Sequence, residues 1–372
     1  MLKYFNIMKI RNSLASIFRI LVLLFICKTC FCQIYRSTLA YDSYFMKTGS
    51  YPEDATHDWN PKGTESQGVT HDNDNWYFTS TDYDGGNAHL WRIPVSVPLN
   101  RNVRNFPGVL VTSMTEIPQL QQAGYWHWGD PDHYEFNGVD YILVPVTSNR
   151  GFPPAIAVFR GGGLEFLTYG NFPSNESPAN IGWCAISQAG DLYTSEDNAC
   201  QFLCYSIDWS MLQSGNPKLV MTFNNSIFFK TENGIPFYYE SPLYNMQGGE
   251  FTPDGKLLYI SCGSGQCASF GHGRYSTDGI HVFETSNWNQ IMRSINSERG
   301  QHGFFNFSFN NGCTCLTGSQ TPEGLTIWDL DYGRAPFITG QLHVLKNFYN
   351  RYAVCDDALS LQHFRRISAF KQ

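Results

Sequence analysis

The chain has 372 residues and a net charge of −7, with 15% charged and 16% aromatic residues, 33 glycines and 18 prolines. That balance provides no basic face for a phosphate backbone, so it excludes nucleic acid as the expected partner and disfavours anionic lipid. Abundant aromatics with this much glycine and proline favour short strands joined by tight turns, and one all-β domain accommodates the length.

At the N-terminus, Lys3, Lys9, Arg11 and Arg19 precede the apolar run Ile20 to Cys27, and Cys30-Phe31-Cys32 leads to Gln33. Residues 1–32 are therefore predicted to be an export signal and 33–372 the mature, secreted or periplasmic domain. The apolar run is far shorter than the roughly 20 residues that span a bilayer, so no stable membrane insertion is expected after signal removal. Eight cysteines then remain: Cys184, Cys200, Cys204, Cys262, Cys267, Cys313, Cys315 and Cys355. An even count in an exported chain favours disulfides, with Cys200/Cys204 and Cys262/Cys267 near enough in sequence to clamp loops. Zinc is the weaker reading, because the usual paired two-residue spacing is missing.

Residues 34–45 alternate loosely and are predicted to form a strand that closes the fold by joining the C-terminal strands. A glycine then recurs five times, in Gln67-Gly68-Val69, Trp128-Gly129-Asp130, Ile181-Gly182-Trp183, Gln247-Gly248-Gly249 and Glu323-Gly324-Leu325. The intervals of 61, 53, 66 and 76 residues suit one four-stranded propeller blade each, with generous loops. After the anchors come turn signals between apolar runs: Asp72 to Asn75, Asn137-Gly138, Ala189-Gly190 and Asp254-Gly255. The last unit is degenerate, with Leu325 to Asp329, Gln341 to Leu345 and Ser360 to Phe364 as its strand candidates. The fold class is thus a single all-β propeller of five blades. Six or seven stay open if Phe223 to Tyr239 or the tail supplies another unit.

The stretch GGEFTPDGKLLYIS, with GIHVFE following, resembles blades of the YVTN and TolB-like β-propellers, and the whole chain resembles secreted bacterial propeller proteins of that broad type. The resemblance implies a fold rather than a reaction, since propellers host hydrolases, lyases, lactonases, lectins and protein-binding scaffolds.

In a propeller, the entries to the inner strands share a face with the loops between second and third strands. That face gathers Gln67, His127, Trp128, Asp130, Trp183, Gln247 and Glu323 with the loops carrying Asp82, Asp84, Arg150, Glu196, Asp197, His272 and Arg274. The densest segment runs from Tyr125 to Tyr134, where His127, Asp130, Asp132 and His133 stand among aromatics. Histidines and burial-shifted carboxylates move protons near neutral pH, while aromatics stack on sugars. The expected catalytic set is His71, His127, Asp130, Glu196 and Glu323; the expected substrate-binding set is Gln67, Trp126, Trp128, Trp183, Gln247, His272 and Arg274. The competing reading packs these aromatics between blades and uses the aspartates to cap turns; for Asp74 and Asn75 the turn is preferred. The leading function is a glycosidase or polysaccharide lyase. The alternatives are a non-catalytic glycan- or protein-binding propeller and a lactonase-like metal hydrolase. Calcium on the axis rests on oxygen-ligand preference alone, because Asp72 to Asp84 lacks the EF-hand spacing. A G-x-S-x-G elbow with a following helix is missing, which disfavours a serine hydrolase.

Overall fold

Short strands separated by turn residues assemble into five sheets, four of them each built from a continuous stretch of chain and the fifth drawing on both ends. The structure, a computed structural model, describes residues 39–42, 64–82, 86–99, 103–231, 233–237, 242–263, 279–295, 319–336, 338–349 and 359–366. Leu39–Arg365 forms one compact unit. The predicted export signal therefore lies outside the described residues.

The closing sheet pairs β1 (Leu39–Asp42) with strands from the far end of the chain. Sheet one holds β2 (Thr64–His71), β3 (Asn75–Asp82), β4 (Ala88–Pro94) and β5 (Leu110–Ser113). Sheet two holds β6 (His127–Trp128), β7 (Asp132–Phe136), β8 (Val139–Thr147), β9 (Ala155–Arg160) and β10 (Glu165–Asn171). Sheet three holds β11 (Ala185–Ile186), β12 (Asp191–Thr194), β13 (Gln201–Ile207) and β14 (Met221–Phe228). Sheet four holds β15 (Met246–Phe251), β16 (Leu257–Cys262), β17 (Gly279–Glu284) and β18 (Asn289–Ile295). The remaining strands, β19 (Ser319–Ile327), β20 (Leu342–Tyr349) and β21 (Leu359–Arg366), complete the closing sheet in the order β1-β21-β20-β19. Within the segment 34–45 that the sequence predicts to close the fold, Leu39–Asp42 forms a strand of the closing sheet and pairs an edge that would otherwise stay open. The segment from Phe223 becomes the outer strand of sheet three rather than a further blade.

Turn chemistry fixes the registers. Asn137 (φ 51°) and Gly138 (φ 74°) both take the left-handed conformation of a two-residue hairpin turn and join Phe136 to Val139. Gly190 (φ 85°) and Gly255 (φ 67°) do the same service in the next two sheets. In sheet one a side chain replaces glycine: Asp72 Oδ1 accepts hydrogen bonds from the Asp74 and Asn75 amides at 2.6 and 2.7 Å. Asp72 is therefore a turn residue, as is the Asp74-Asn75 pair beside it.

The core is divided among the seams between sheets. Trp76 and Trp91 pack with Trp328 and Leu345 between sheet one and the closing sheet. Tyr77 and Trp128 fill the seam between sheets one and two, Tyr141 and Trp209 the next, and Trp183 and Phe202 the seam between sheets three and four. A fully buried tryptophan removes about 200 Å² of surface from water, roughly 5 kcal/mol as an upper bound, so these four seams dominate the stability.

Four of the eight cysteines beyond residue 32 are described and all four are buried; Cys184, Cys200 and Cys204 are free thiols. The Cys200/Cys204 clamp is thereby corrected: four residues of extended strand separate the two by about 13 Å, beyond disulfide reach. The Cys262/Cys267 pairing lies outside the described residues. Among the described residues, no helix is long and apolar enough to cross a membrane.

All five anchor glycines meet in a ring. A Cβ on Gly68 would stand 2.2 Å from the Asp130 Cα, one on Gly129 2.1 Å from the Gly182 oxygen, and one on Gly182 3.1 Å from the Met246 oxygen. Those on Gly248 and Gly324 would meet, at 2.7 Å, the Gly324 and Gly68 Cα atoms, and the circle closes. None of the five has a positive φ, so close approach, not backbone freedom, demands glycine here. Gly68→Ala is expected to cost about 3 kcal/mol or more in urea unfolding, while Gly163→Ala, whose Cβ meets nothing within 4 Å, stays within about 0.5 kcal/mol of wild type. Equal stabilities for the two variants would remove the ring from the account.

Candidate functional site

The polar groups on the axis form two layers set by the period-two alternation of the inner strands. Asp130 occupies the ring itself. It is completely buried; Oδ1 accepts from the Val69 amide at 2.8 Å and Oδ2 from the Gly249 amide at 3.1 Å. Its own amide donates to the Gly182 oxygen at 2.8 Å and its carbonyl accepts from the Cys184 amide at 3.2 Å. One aspartate therefore ties sheets one, two, three and four together. Burial pushes its carboxyl well above the usual range, against the lowering effect of the two amides.

Two residues further along the strands lies the second layer, with Asp132 and Glu250. Asp132 accepts from the His133 and Ile186 amides at 2.6 and 2.5 Å, and burial raises its pKa to about 7. Glu250 Oε1 accepts from the Ile327 amide at 3.3 Å; burial, followed by the Asp132 charge, raises its carboxyl well above the ordinary range. His71 stands 3.9 Å from Glu250 Oε1, stacks on Trp328 with ring centroids 4.4 Å apart, and is held by burial at about 4. The sequence points to Asp132 only as a member of the Tyr125–Tyr134 segment, outside the expected catalytic set, and does not point to Glu250. The available signal was alternation, since each stands two residues beyond a ring position.

On the entry side, three sheets repeat one irregularity. Register shifts fall between Ser66 and Gly68, between Met246 and Gly248, and between Pro322 and Gly324. Gln67, Gln247 and Glu323 are thus bulged residues, each immediately before an anchor glycine. Bulges re-aim side chains and gather beside functional sites. Gln67 and Glu323 are buried, at 4% and 7% exposure, and Gln247 is half-buried. Above Gly182, Gln247 Oε1 and Asp197 Oδ1 lie 3.2 and 3.5 Å from the point a Cβ would occupy, so both face one small space. Asn180 Nδ2 donates to Asp197 Oδ2 at 2.5 Å, and the Met246 amide donates to the Asp197 oxygen at 2.9 Å. Burial, and then the neighbouring Glu196 charge, raise the Asp197 carboxyl.

The other expected site residues separate. Glu196 is exposed and caps the Ala179 amide at 3.0 Å, adjacent to Asp197 rather than on the axis. His127 is half-buried on β6 opposite Thr147, beside Trp126, and burial holds it at about 4. His133 pairs with Asp140 at 2.7 Å. Trp128 and Trp183 are corrected from stacking platform to core: both have 0% exposure and donate from Nε1, to the Tyr125 carbonyl at 2.9 Å and to Ser195 Oγ at 3.0 Å. Asp130 is likewise corrected, because an acid with no exposed surface and both oxygens engaged meets no substrate in this arrangement. Trp126 remains partly exposed, and Phe152, unnoticed in the sequence, is 50% exposed on the loop between β8 and β9. His272 and Arg274 lie outside the described residues. Among the described residues, no cluster of three or more His, Cys, Asp or Glu side chains has metal-holding geometry.

The sheet order, the ring closure and the seam cores define the class as a β-propeller. The chain matches no protein-family model and no curated protein. Among solved structures, it is similar to the catalytic domain of Coprinopsis cinerea GH62 alpha-L-arabinofuranosidase, at 12% identity over 88% of this chain and 97% of that one, with a TM-score of 0.47. It is also similar to the GH43_1 enzyme from Xanthomonas citri complexed with xylose, at 11% identity, 82% and 87% coverage and a TM-score of 0.43. The Dos1 propeller is a third, at 11% identity, 82% and 70% coverage and a TM-score of 0.35. Likeness at this level adds nothing to what the sheet order establishes.

The buried groups make stability depend on pH in two opposed ways. Asp130, Asp132 and Glu250 keep protons in the folded state that the unfolded chain releases above about pH 4, so their contribution is lost as pH rises, through about 7 for Asp132. His71 and His127 stay neutral when folded, so theirs grows from about pH 4 to about 6.5 and then levels off. Between about pH 6.5 and 8 only the carboxylate loss operates. Thermal melting is expected to show a falling Tm over that interval, with a smaller fall for Glu250→Gln. A steeper fall in the variant would contradict the assignment.

Proposed function

We propose that this chain is an exported, five-bladed propeller of the YVTN/TolB-like type that binds a carbohydrate at the mouth above the glycine ring and hydrolyses its glycosidic bond. The observation that carries this reading is the space above Gly182. There Asp197 and Gln247, from different sheets, face one point, and two further bulged residues stand in the equivalent positions of neighbouring sheets. Glycoside hydrolysis needs one carboxyl that arrives protonated and a second that is ionised. Asp197 has the raised carboxyl, held in place by Asn180, and serves as the proton donor to the leaving oxygen. Glu323 is the second carboxylate. Gln67, Gln247 and Asn180 supply donors and acceptors for hydroxyl groups, and Trp126 with Phe152 supplies apolar faces for sugar rings. Asp130 acts through the ring, fixing the strand entries from which these side chains project.

Cleavage of a polysaccharide panel, read by reducing ends and by ultraviolet absorbance, distinguishes hydrolysis from elimination. Asp197→Asn is expected to lower kcat by about 10² to 10⁴-fold with little change in KM. Glu196→Gln removes the like charge beside Asp197, so the alkaline limb of the activity profile moves to lower pH. Sugar binding on a glycan array with no cleavage of any panel member replaces the hydrolase by the binding propeller, and full activity in Asp197→Asn rejects the proton donor. Trp126→Ala is expected to weaken binding and, because the ring packs only in part against the seam, to cost about 1 to 2 kcal/mol of stability. Trp128→Ala, by contrast, costs about 3 to 5 kcal/mol in the seam core.

A further inference from the structure

The closing sheet carries a second cluster of titratable groups that the proposed reaction does not use. His343 on β20 and His363 on β21 are direct cross-strand partners, with Nδ1 atoms 2.7 Å apart and almost no exposure, 0% and 1%. His343 Nε2 lies 2.8 Å from the Trp328 carbonyl oxygen. A carbonyl only accepts, so Nε2 of His343 carries its proton. A neutral imidazole has one proton, which makes His343 Nδ1 an acceptor and His363 Nδ1 the donor. The tautomers of both rings follow from a single carbonyl.

This relay sits at the seam where the two ends of the ring meet. Trp76 of β3 places its edge against His343 with ring centroids 5.3 Å apart, and Trp328 is sandwiched against His71 of β2. Among the described residues, the charged or titratable groups facing the pair are His71, itself 3.9 Å from Glu250, and Asp331 in the turn after β19. β3 contributes only apolar or indole surface there. Burial is the main influence on both rings, holding His343 at about 3 despite its bond to Trp328 and the opposing charge of Asp331; His71 adds a smaller downward push.

We propose that the His343–His363 pair is an acid-sensitive latch on the ring closure. With one proton between the facing nitrogens, β20 and β21 stay paired. The dry seam has no room for a second proton, which would set two N–H groups head to head at 2.7 Å, whereas the rings of separated strands take one up near the ordinary histidine value of about 6.5; falling pH therefore favours separation of β21 together with the β1 strand it holds. Acid therefore opens the ring at its closing sheet before the other sheets.

Hydrogen exchange of the full chain, corrected for the chemical rate, tests this. Between about pH 7 and 4, the segments 342–349 and 359–366 are expected to lose protection at least about tenfold, while β8 and β9 change little. His343→Gln keeps a donor for the Trp328 carbonyl and an acceptor for His363 but leaves one titratable ring of the pair, and is expected to reduce the local change by at least about threefold relative to wild type. An undiminished change in that variant, or parallel opening of β8 and β9 in the wild type, overturns the latch. The imidazole nitrogen resonances of the wild-type protein give an answer that needs no variant. Protonated Nε2 on His343 with protonated Nδ1 on His363 at about pH 7 supports the relay, and the reverse tautomers or a doubly protonated ring reject it.

Discussion

The fold turns on one buried carboxyl group. Five inner strands that converge on an axis bring backbone amides together where neither water nor another strand can satisfy them, and Asp130 answers part of that need. Its two oxygens take amides from sheets one and four, while its own backbone is bonded to the entry of sheet three. Each of those amides would carry a desolvation cost of about 1 to 3 kcal/mol if left alone. Only a side chain with two acceptor oxygens bridges them, and only glycines let it sit between strands. The aspartate and the glycine ring therefore require one another.

That requirement also shapes the entry face. To admit Asp130, the inner strands pack so tightly at the ring that a Cβ has no room, and three of them add a bulged residue just before it. The bulge changes which way the preceding side chain leaves the strand. Gln247 in this way reaches over Gly182 toward Asp197, although the two belong to different sheets. The mouth is thus a by-product of closing the ring, and its polar character follows from which residues occupy the bulges.

Burial acts on the two kinds of titratable group with opposite sign. Carboxyls at Asp130, Asp132 and Glu250 hold their protons, and the rings of His71, His127 and His343 refuse theirs. Both outcomes minimise charge in a low-dielectric interior. Burial thus drives the ionisable groups of the axis and the closing seam toward their uncharged forms. Their neighbours make them sensitive to pH: the Asp132 charge raises Glu250 on the axis, and His343 and His363 share one proton in the seam.

Local chemistry is legible in this sequence because it acts over a few residues. The spacing of the anchor glycines, the Asn137-Gly138 and Asp254-Gly255 turns, the Asp72 loop and the closing segment around residues 39–42 each follow from short-range backbone preference or from repetition. The sequence likewise picks out the bulged positions Gln67, Gln247 and Glu323 through their place before glycine. What it does not contain is direction. Trp128 and Trp183 look like Trp126 in a string of letters, yet the alternation of the strand and the neighbouring sheet place two in the core and leave one partly exposed. Asp130 reads as a catalytic acid until amides from residues 69 and 249 are found around it. The histidines at 343 and 363 carry no motif at all. Their meeting is set by register across a closing sheet, and pairing of distant strands is decided only when the whole chain has packed.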